Sequence, residues 1–124
     1  MAKIPVITEA EWKVMKVLWS KAPQPAYDVV QALAQAEHWH PNTIKSLLSR
    51  LRQKKALGVK KYKNLYLYYP LVSEEDCVHA ESESFLQRLF GGSLKPLLIH
   101  YARRQELTAA DLEELRQILE EKGQ

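Results

Sequence analysis

Cysteine is nearly absent from this chain of 124 residues, since Cys77 is the only one. A single cysteine excludes an internal disulfide and any multi-cysteine zinc or iron–sulfur centre within one chain. No apolar run approaches the roughly 18 residues that a membrane-spanning helix needs. The N-terminus also lacks the basic segment and long apolar core of a secretion signal. We therefore expect a cytoplasmic protein without a membrane partner.

Sequence motifs of the common catalytic sites are missing as well. The chain has no glycine-rich phosphate loop, no HExxH pattern and no serine elbow. His38 and His40 are two residues apart at a predicted turn, which is the wrong spacing for one helical face. The carboxylate pairs, such as Glu113 and Glu114, fall where solvated helix faces are predicted. We expect no enzyme, no metal site and no cofactor.

Acidic residues are unevenly distributed along the chain. Residues 1–70 contain 12 Lys and Arg against 4 Asp and Glu, whereas residues 71–124 contain 6 against 11. From Pro41 to Lys61 there is no acidic residue at all. A basic half suits a polyanion, and an acidic half suits protein contacts. The alternative is that surface charge is merely clustered.

Capping residues predict the first two helices. Thr8 and Glu11 have the spacing of a capping box, which starts a helix over about residues 9–20. Two prolines then enforce a loop. A second helix is predicted over about residues 26–37, before the break at His38.

The third predicted helix is amphipathic, and Pro41 fits its first turn. Its apolar residues recur at i, i+3, i+4 and i+7, as one buried face requires; they are Ile44, Leu47, Leu48 and Leu51. The opposite face carries short hydrogen-bonding side chains with basic residues at its margins. A generic solvated helix more often carries Glu–Lys pairs there. The candidate DNA-binding residues of this face are Asn42, Thr43, Lys45, Ser46, Ser49 and Arg50.

A basic β-hairpin is predicted next. Residues 59–62 and 65–69 are rich in β-branched and aromatic side chains, and Lys63-Asn64 forms the turn, with Asn64 able to adopt a positive φ. Gly58 is predicted to end the third helix. The tyrosines of the second strand either pack the sheet on the helices or stack on single-stranded bases. We favour packing for them; they are Tyr66, Tyr68 and Tyr69.

The order of these elements is that of a winged helix-turn-helix. We predict a mainly α fold with a small β-hairpin, in which residues 1–72 form a DNA-binding domain. Its third helix would enter the major groove of double-stranded DNA, where each base pair displays a distinct pattern of donors and acceptors. The hairpin lysines would bind phosphates, which sets the position on the duplex but not the sequence; they are Lys60, Lys61 and Lys63.

Residues 73–124 are predicted to form three more helices that act as a dimerisation domain. Ser73, Ser93 and Thr108 are their expected caps. A segment of this length is too short to bury its apolar faces alone, so a second copy is the simplest cover. A two-fold homodimer would place two reading helices on the half-sites of a palindrome. The alternative is a monomer in which these helices pack back on the first half. The candidate dimerisation residues are Val78, Phe85, Leu86, Leu89, Leu94, Leu97, Leu98, Tyr101, Leu112, Leu115 and Leu119.

Four segments resemble the BlaI/MecI-type penicillinase repressors, a family that includes copper-responsive relatives. The segments are ITEAEW at 7–12, TIKSLLSRL at 43–51, FLQRLFGGSLK at 85–95, and ELT at 106–108 with LEEL at 112–115. Together they cover nearly the whole chain. The resemblance implies a homodimeric transcriptional repressor with an N-terminal winged helix and a C-terminal dimerisation domain. Its operators would be short palindromes ahead of the regulated genes.

The resemblance also bears on the release from DNA. In the penicillinase branch, a membrane sensor leads to cleavage of the repressor at an Asn-Phe bond in the fifth helix. The matching positions here are His100 and Tyr101. A regulatory protease is therefore an implied partner, while the departure from Asn-Phe leaves the inducing signal open, whether a β-lactam, another stress or something else. The copper branch ends in a cysteine cluster, and residues 120–124 contain no cysteine, so we do not expect copper sensing by that route.

Two other functions stay open on the residues alone. A winged helix also serves as a protein-docking module, in which the polar face of the third helix would meet an acidic protein. An RNA-binding domain would prefer single strands or hairpins to duplex DNA. Selection of an inverted repeat would separate the repressor from both.

Overall fold

In a computed structural model that describes residues 3–122, the chain forms two compact units, residues 3–80 and 81–122. The ends of the two predicted domains, residues 1–2 and 123–124, lie outside the described range. The predicted mainly α fold with a hairpin is confirmed, and no helix of the described residues could cross a membrane. In chain order the elements are α1 (Glu9–Ser20), β1 (Gln24–Pro25), α2 (Ala26–Glu37), α3 (Pro41–Gln53), β2 (Leu57–Tyr62), β3 (Leu65–Pro70), α4 (Glu74–Phe90), α5 (Lys95–Arg103) and α6 (Ala109–Lys122).

The predicted capping box at the start of α1 is confirmed. The backbone N–H of Glu11 donates to Thr8 Oγ1 at 3.2 Å, and the backbone N–H of Thr8 donates to Glu11 Oε1 at 2.9 Å. These bonds satisfy donors that a helix start leaves free. Unlike an ordinary capping-box glutamate, Glu11 is only 1% exposed.

The core of the first unit lies between α1, α2 and α3. All four predicted apolar residues of α3 are buried. The most exposed of them, Leu47, has 4% of its surface exposed. They pack with buried residues of the other two helices, chiefly Val14, Met15, Leu18, Val29, Val30 and Leu33. Because this stripe is fixed inward, the opposite face of α3 is turned to solvent.

The sheet has three antiparallel strands in the order β1-β3-β2, one strand more than predicted. Gln24 and Pro25 pair with Tyr68 and Leu67 of β3. The side-chain amide of Gln24 donates to the backbone oxygens of Val17 and Lys21, which anchors the loop at the end of α1. Strand β3 is therefore the central strand of the sheet.

Gly58 does not end α3, so that prediction was wrong. The helix ends at Gln53, the positive φ of 66° falls on Lys55, and Gly58 is paired with Tyr69 inside the sheet. A Cβ atom on Gly58 would lie 2.6 Å from Cζ of the Tyr69 ring. Glycine fits there because the Tyr69 ring leaves no room for a side chain, and not because a helix ends at this residue. In the hairpin turn, likewise, the positive φ lies at Lys63 (56°) rather than at Asn64.

The hairpin tyrosines differ in how far they are packed. Tyr68 packs against the core, which confirms the predicted packing for this residue. The ring of Tyr69 covers Gly58 of the neighbouring strand. Tyr66 is 61% exposed, so the prediction that it packs the sheet on the helices was wrong. Tyr66 shares a face with Tyr68, but it lies two residue pairs closer to the hairpin tip, opposite Lys61, where it is not covered.

The first turns of α4 belong to the core of the first unit. Val72 and Cys77 are buried, and the indole N–H of Trp19 donates to the backbone oxygen of Val72 at 3.0 Å. Burial, with a smaller contribution from the charge of Asp76, raises the pKa of the Cys77 thiol. The thiol therefore stays protonated and acts as an apolar side chain.

The second unit has little core of its own. Neither α5 nor α6 buries a side chain within the described residues. Thr108 caps α6 as predicted, since it exchanges two bonds of 3.0 Å with Asp111. The predicted cap at Ser93 was wrong, because α5 begins after Leu94 with no side-chain bond. The first turn of α5 contains Pro96, which has no backbone N–H and so leaves one donor fewer to satisfy.

Candidate nucleic-acid interface

The polar face of α3 lies on the surface of the first unit. All six candidate residues on this helix are exposed, from Asn42 to Arg50. They alternate with the buried stripe, so the packing that holds α3 also aims these side chains outward. The structure thus presents amide, hydroxyl and cationic groups together on one helix.

The N-terminus of α3 is closed by a residue that the sequence analysis considered only as a metal ligand. The backbone N–H of Asn42 donates to His40 Nδ1 at 3.0 Å, so His40 is the N-cap residue. The signal for it was the proline that follows, because a proline at N1 puts the cap one residue before it. The first turn carries no acid, which leaves the positive end of the helix dipole available to an anion.

The hairpin β2–β3, the wing, carries three lysines beside tyrosine rings. Lys60 lies 5.7 Å from the centroid of Tyr69, Lys61 lies 5.9 Å from Tyr66, and Lys63 lies 5.5 Å from Tyr62. Cation–π contacts at exposed sites contribute about 0.5–1 kcal/mol each. All three lysines are exposed, so the rings restrain the ammonium groups without withdrawing them from solvent.

Acidic residues are missing from the segment that contains α3 and the wing. The acid-free stretch is longer than the sequence analysis noted, since it runs from His38 to Ser73. By contrast, lysines on α1 are neutralised locally, Lys13 by Glu37 and Lys16 by Glu74. Within the described residues, no acid pairs with a basic candidate residue of α3 or of the wing. Positive charge is thus concentrated on one part of the first unit.

Lys54 is the exception in this basic stretch. Its ammonium group binds the buried carboxylate of Glu11 and also donates to the backbone oxygen of Val6 at 2.9 Å. Burial alone would raise the pKa of Glu11, but the hydrogen bonds from Lys54 and Thr8 and the charge of Lys54 hold it below its ordinary value. The carboxylate therefore stabilises the fold at pH values above its ordinary range. This contribution is lost as the pH falls through the lowered pKa.

Comparison with known proteins identifies the family. A family described as "Penicillinase repressor" matches residues 7–121. The penicillinase repressor of Bacillus licheniformis is 36% identical over 121 residues, which are 98% of this chain and 94% of that protein. The methicillin resistance regulatory protein MecI of Staphylococcus aureus (strain N315) is 32% identical over 116 residues, 94% of each chain. This chain belongs to the penicillinase repressor family.

Solved structures agree with this assignment. The DNA-binding domain of the repressor BlaI matches with a TM-score of 0.55 and 38% identity, over 61% of this chain and 93% of that one. The monomeric form of Bacillus licheniformis BlaI in complex with the blaP half-operator matches equally well. The predicted winged helix-turn-helix is thereby confirmed. Penicillinase repressors are transcriptional regulators and not enzymes.

The second unit of this penicillinase repressor exposes most of its predicted dimerisation residues. Leu94 is 51% exposed, Tyr101 39% and Leu119 64%, and Val78, on the part of α4 in the first unit, is 45% exposed. Ile99 and Ile118, which were not among the candidates, are exposed to a similar extent. Phe85, Leu97 and Leu115 are half-buried, and Leu86 is buried. Leu89 and Leu112 are exposed.

An apolar groove separates α5 from α6. Its volume is about 350 Å³. It is lined by Leu98, Ile99, Ala102, Leu107, Leu112, Leu115, Arg116 and Leu119. Arg116 turns its guanidinium to Glu113 and Glu120 instead of into the groove. The groove is therefore an apolar surface bordered by charges, which is typical of a protein-contact site.

The peptide bond between His100 and Tyr101 lies inside α5. The carbonyl oxygen of His100 accepts from the N–H of Arg104 at 3.2 Å, and that of Tyr101 accepts from Glu106 at 3.1 Å. Both side chains are exposed. A protease would have to unwind the end of α5 before this bond could adopt the extended form that proteases bind.

Proposed function

We propose that this protein is a transcriptional repressor that binds a palindromic operator as a homodimer. The observation that carries the proposal is the exposed, acid-free face of α3 followed directly by the lysines of the wing. A relative with 38% identity to this chain is described in complex with a half-operator. The fold thus supplies a helix of the size that enters a major groove, with cations beside it for the phosphates.

The two parts of the surface have different roles in this proposal. Asn42, Thr43, Lys45 and Ser46 lie in the first turns of α3, where side chains of a recognition helix reach base edges. Ser49 and Arg50 follow one turn later, where contacts pass from bases to phosphates. Lys60, Lys61 and Lys63 bind the backbone, which positions the protein without reading sequence.

We assign dimerisation to residues 73–124 and DNA binding to residues 1–72. Support comes from the groove between α5 and α6 and from the exposed leucines around it, because a second copy would remove this apolar area from water. A docking module or an RNA-binding protein would need no second copy. Two-fold symmetry also fits a recognition surface that covers only a half-operator.

Release from the operator is assigned to an event in α5. Cleavage at His100–Tyr101 by a regulatory protease would divide the dimerisation unit and leave monomers with one half-site each. The change from Asn-Phe to His-Tyr means that the protease would recognise a different residue pair. A ligand that opens α5 would have the same effect on dimerisation.

Single lysine substitutions test the proposed division between base reading and phosphate binding. Lys45→Ala is expected to cost roughly 1–3 kcal/mol on the operator and to relax the preference at one base pair. Lys61→Ala is expected to weaken all duplexes alike and to make the plot of log K against log salt shallower by about 0.9 per lysine. Fluorescence anisotropy on operator and scrambled duplexes, at several salt concentrations, measures both effects.

The matched control is Lys16→Ala, which removes the same charge from α1, where Lys16 is paired with Glu74. It should bind the operator like the parent protein, since exposed ion pairs contribute little. Equal losses for Lys45→Ala on operator and scrambled duplex would contradict base reading by α3. Stronger binding to a single-stranded RNA competitor would favour the RNA-binding alternative.

A further inference from the structure

Lys54 differs from every other cation in the stretch from residue 38 to 73, because its side chain is turned inward. Only 32% of that side chain is exposed, and its ammonium group is held by the Glu11 carboxylate and by the backbone oxygen of Val6. A lysine at this point of a basic surface would be expected to face the phosphates. The structure places it between the N-terminal segment and the end of α3.

Glu11 is more deeply buried than its capping role requires. The capping box needs only a carboxylate near the backbone N–H of Thr8, and such glutamates are normally exposed on the first turn of a helix. Here the side chain is 1% exposed, and one cation, Lys54, gives the carboxylate both an ion pair and a hydrogen bond. A buried carboxylate is costly unless it is paired and hydrogen-bonded, so Lys54 is the partner that makes this burial tolerable.

The ion pair lies at the junction between α3 and the wing. Lys54 is the C-cap residue of α3, Lys55 follows with a positive φ of 66°, and Ala56 is fully buried. The backbone oxygen of Ala56 accepts from the N–H of Leu71, which directly follows β3, at 2.9 Å. A change at Lys54 would therefore alter the direction in which the wing leaves the helix.

We propose that Glu11 and Lys54 are positioning residues for operator binding, which fix the wing relative to α3 while Lys54 itself contacts no DNA. The inference rests on the proposed function. Specific binding needs α3 in the groove and the wing lysines on the backbone at the same time, so a small change in their relative orientation is expected to weaken it. Non-specific binding depends on total charge and is much less sensitive to orientation.

The test is the double variant Glu11→Gln/Lys54→Met, which removes both charges and leaves the net charge unchanged. Replacing both partners avoids the unpaired buried carboxylate that a single Lys54→Met would create. We expect about tenfold weaker operator binding, affinity for scrambled duplex within about twofold of the parent, and an unchanged salt slope. Circular dichroism and thermal unfolding establish that the variant is folded at the assay temperature.

Lys61→Met serves as the control for a phosphate contact, with a salt slope shallower by about 0.9 per lysine. Lys54→Arg keeps the charge and should retain most of the operator affinity. If the folded double variant binds the operator like the parent, the pair has a purely structural role and the inference is wrong. A salt slope of the double variant that becomes shallower, as in Lys61→Met, would also overturn the inference, because it would show that Lys54 binds phosphate. Failure of the parent protein to prefer its operator would instead overturn the proposed function, and this inference with it.

Discussion

Leu98→Glu should convert the protein into a monomer and weaken binding to a palindromic operator by at least about a hundredfold. Leu98 lies in the apolar groove between α5 and α6 and is 36% exposed. In the proposed homodimer this groove is covered by the second copy, and burying an unpaired carboxylate there costs several kcal/mol. A monomer engages one half-site at a time and loses the effective concentration that a linked second site provides.

Light scattering coupled to size exclusion gives the oligomeric state, and anisotropy gives the affinities for whole operator and half-operator. Half-operator binding should change little, because α3 and the wing are untouched. Gln117→Glu is the matched control, since it adds the same charge on α6 at an exposed residue outside the groove. If the Leu98→Glu protein stayed dimeric, the result would show that the groove is not part of the dimer interface.

Replacing Lys60, Lys61 and Lys63 together by alanine is expected to have an effect on DNA binding that is at least as large. A dimer would lose six phosphate contacts, and at about 0.9 per contact the salt slope should become shallower by roughly 5. Affinity at low salt should fall on the order of a thousandfold for operator and scrambled duplex alike. The rings of Tyr62, Tyr66 and Tyr69 would remain, so the hairpin keeps its sheet contacts.

The control for charge is Lys13→Ala/Lys16→Ala/Lys21→Ala, which removes three cations from the α1 side of the same unit. Two of these lysines are already neutralised by Glu37 and Glu74. If this variant lost as much affinity and slope as the wing variant, binding would follow total charge and the wing would have no particular part in it. Measurements between about 50 and 200 mM salt span the range in which such slopes are resolved.

Local signals predicted the helices of the first unit well. Thr8 with Glu11, and Pro41 at N1, fix helix starts through bonds within three residues, so their effect can be read without the rest of the fold. The α3 stripe was also predictable, because its spacing alone decides which face is buried. The exposure of the opposite face, and hence of the candidate residues from Asn42 to Arg50, follows from the same spacing.

Tertiary contacts account for what the sequence analysis missed. A strand of two residues has no alternation to detect, and β1 exists only because β3 lies beside it. The need for glycine at 58 comes from the ring of Tyr69 across the sheet. Tyr66 was predicted to pack because aromatic residues favour half-buried strands, yet it lies near the hairpin tip, where the helices offer it no cover.

The Glu11–Lys54 pair was missed for a related reason. The capping box already explained Glu11, and Lys54 resembles the lysines around it. Nothing in the sequence therefore indicated that the two residues, 43 positions apart, form a pair. Ser93 shows the opposite error: a serine after two glycines resembles a cap, but α5 begins one residue later. The dimerisation residues were selected by helical spacing, which identifies apolar faces without saying what covers them.

Selection of binding sites from a random duplex library by the full-length protein tests the central proposal most directly. Two symmetric copies that read bases with α3 should enrich an inverted repeat whose half-sites are centred about one helical turn apart, or a multiple of it. The enriched duplex should bind two chains. Enrichment of no common sequence, or of a single unrepeated site bound by one chain, would contradict the account.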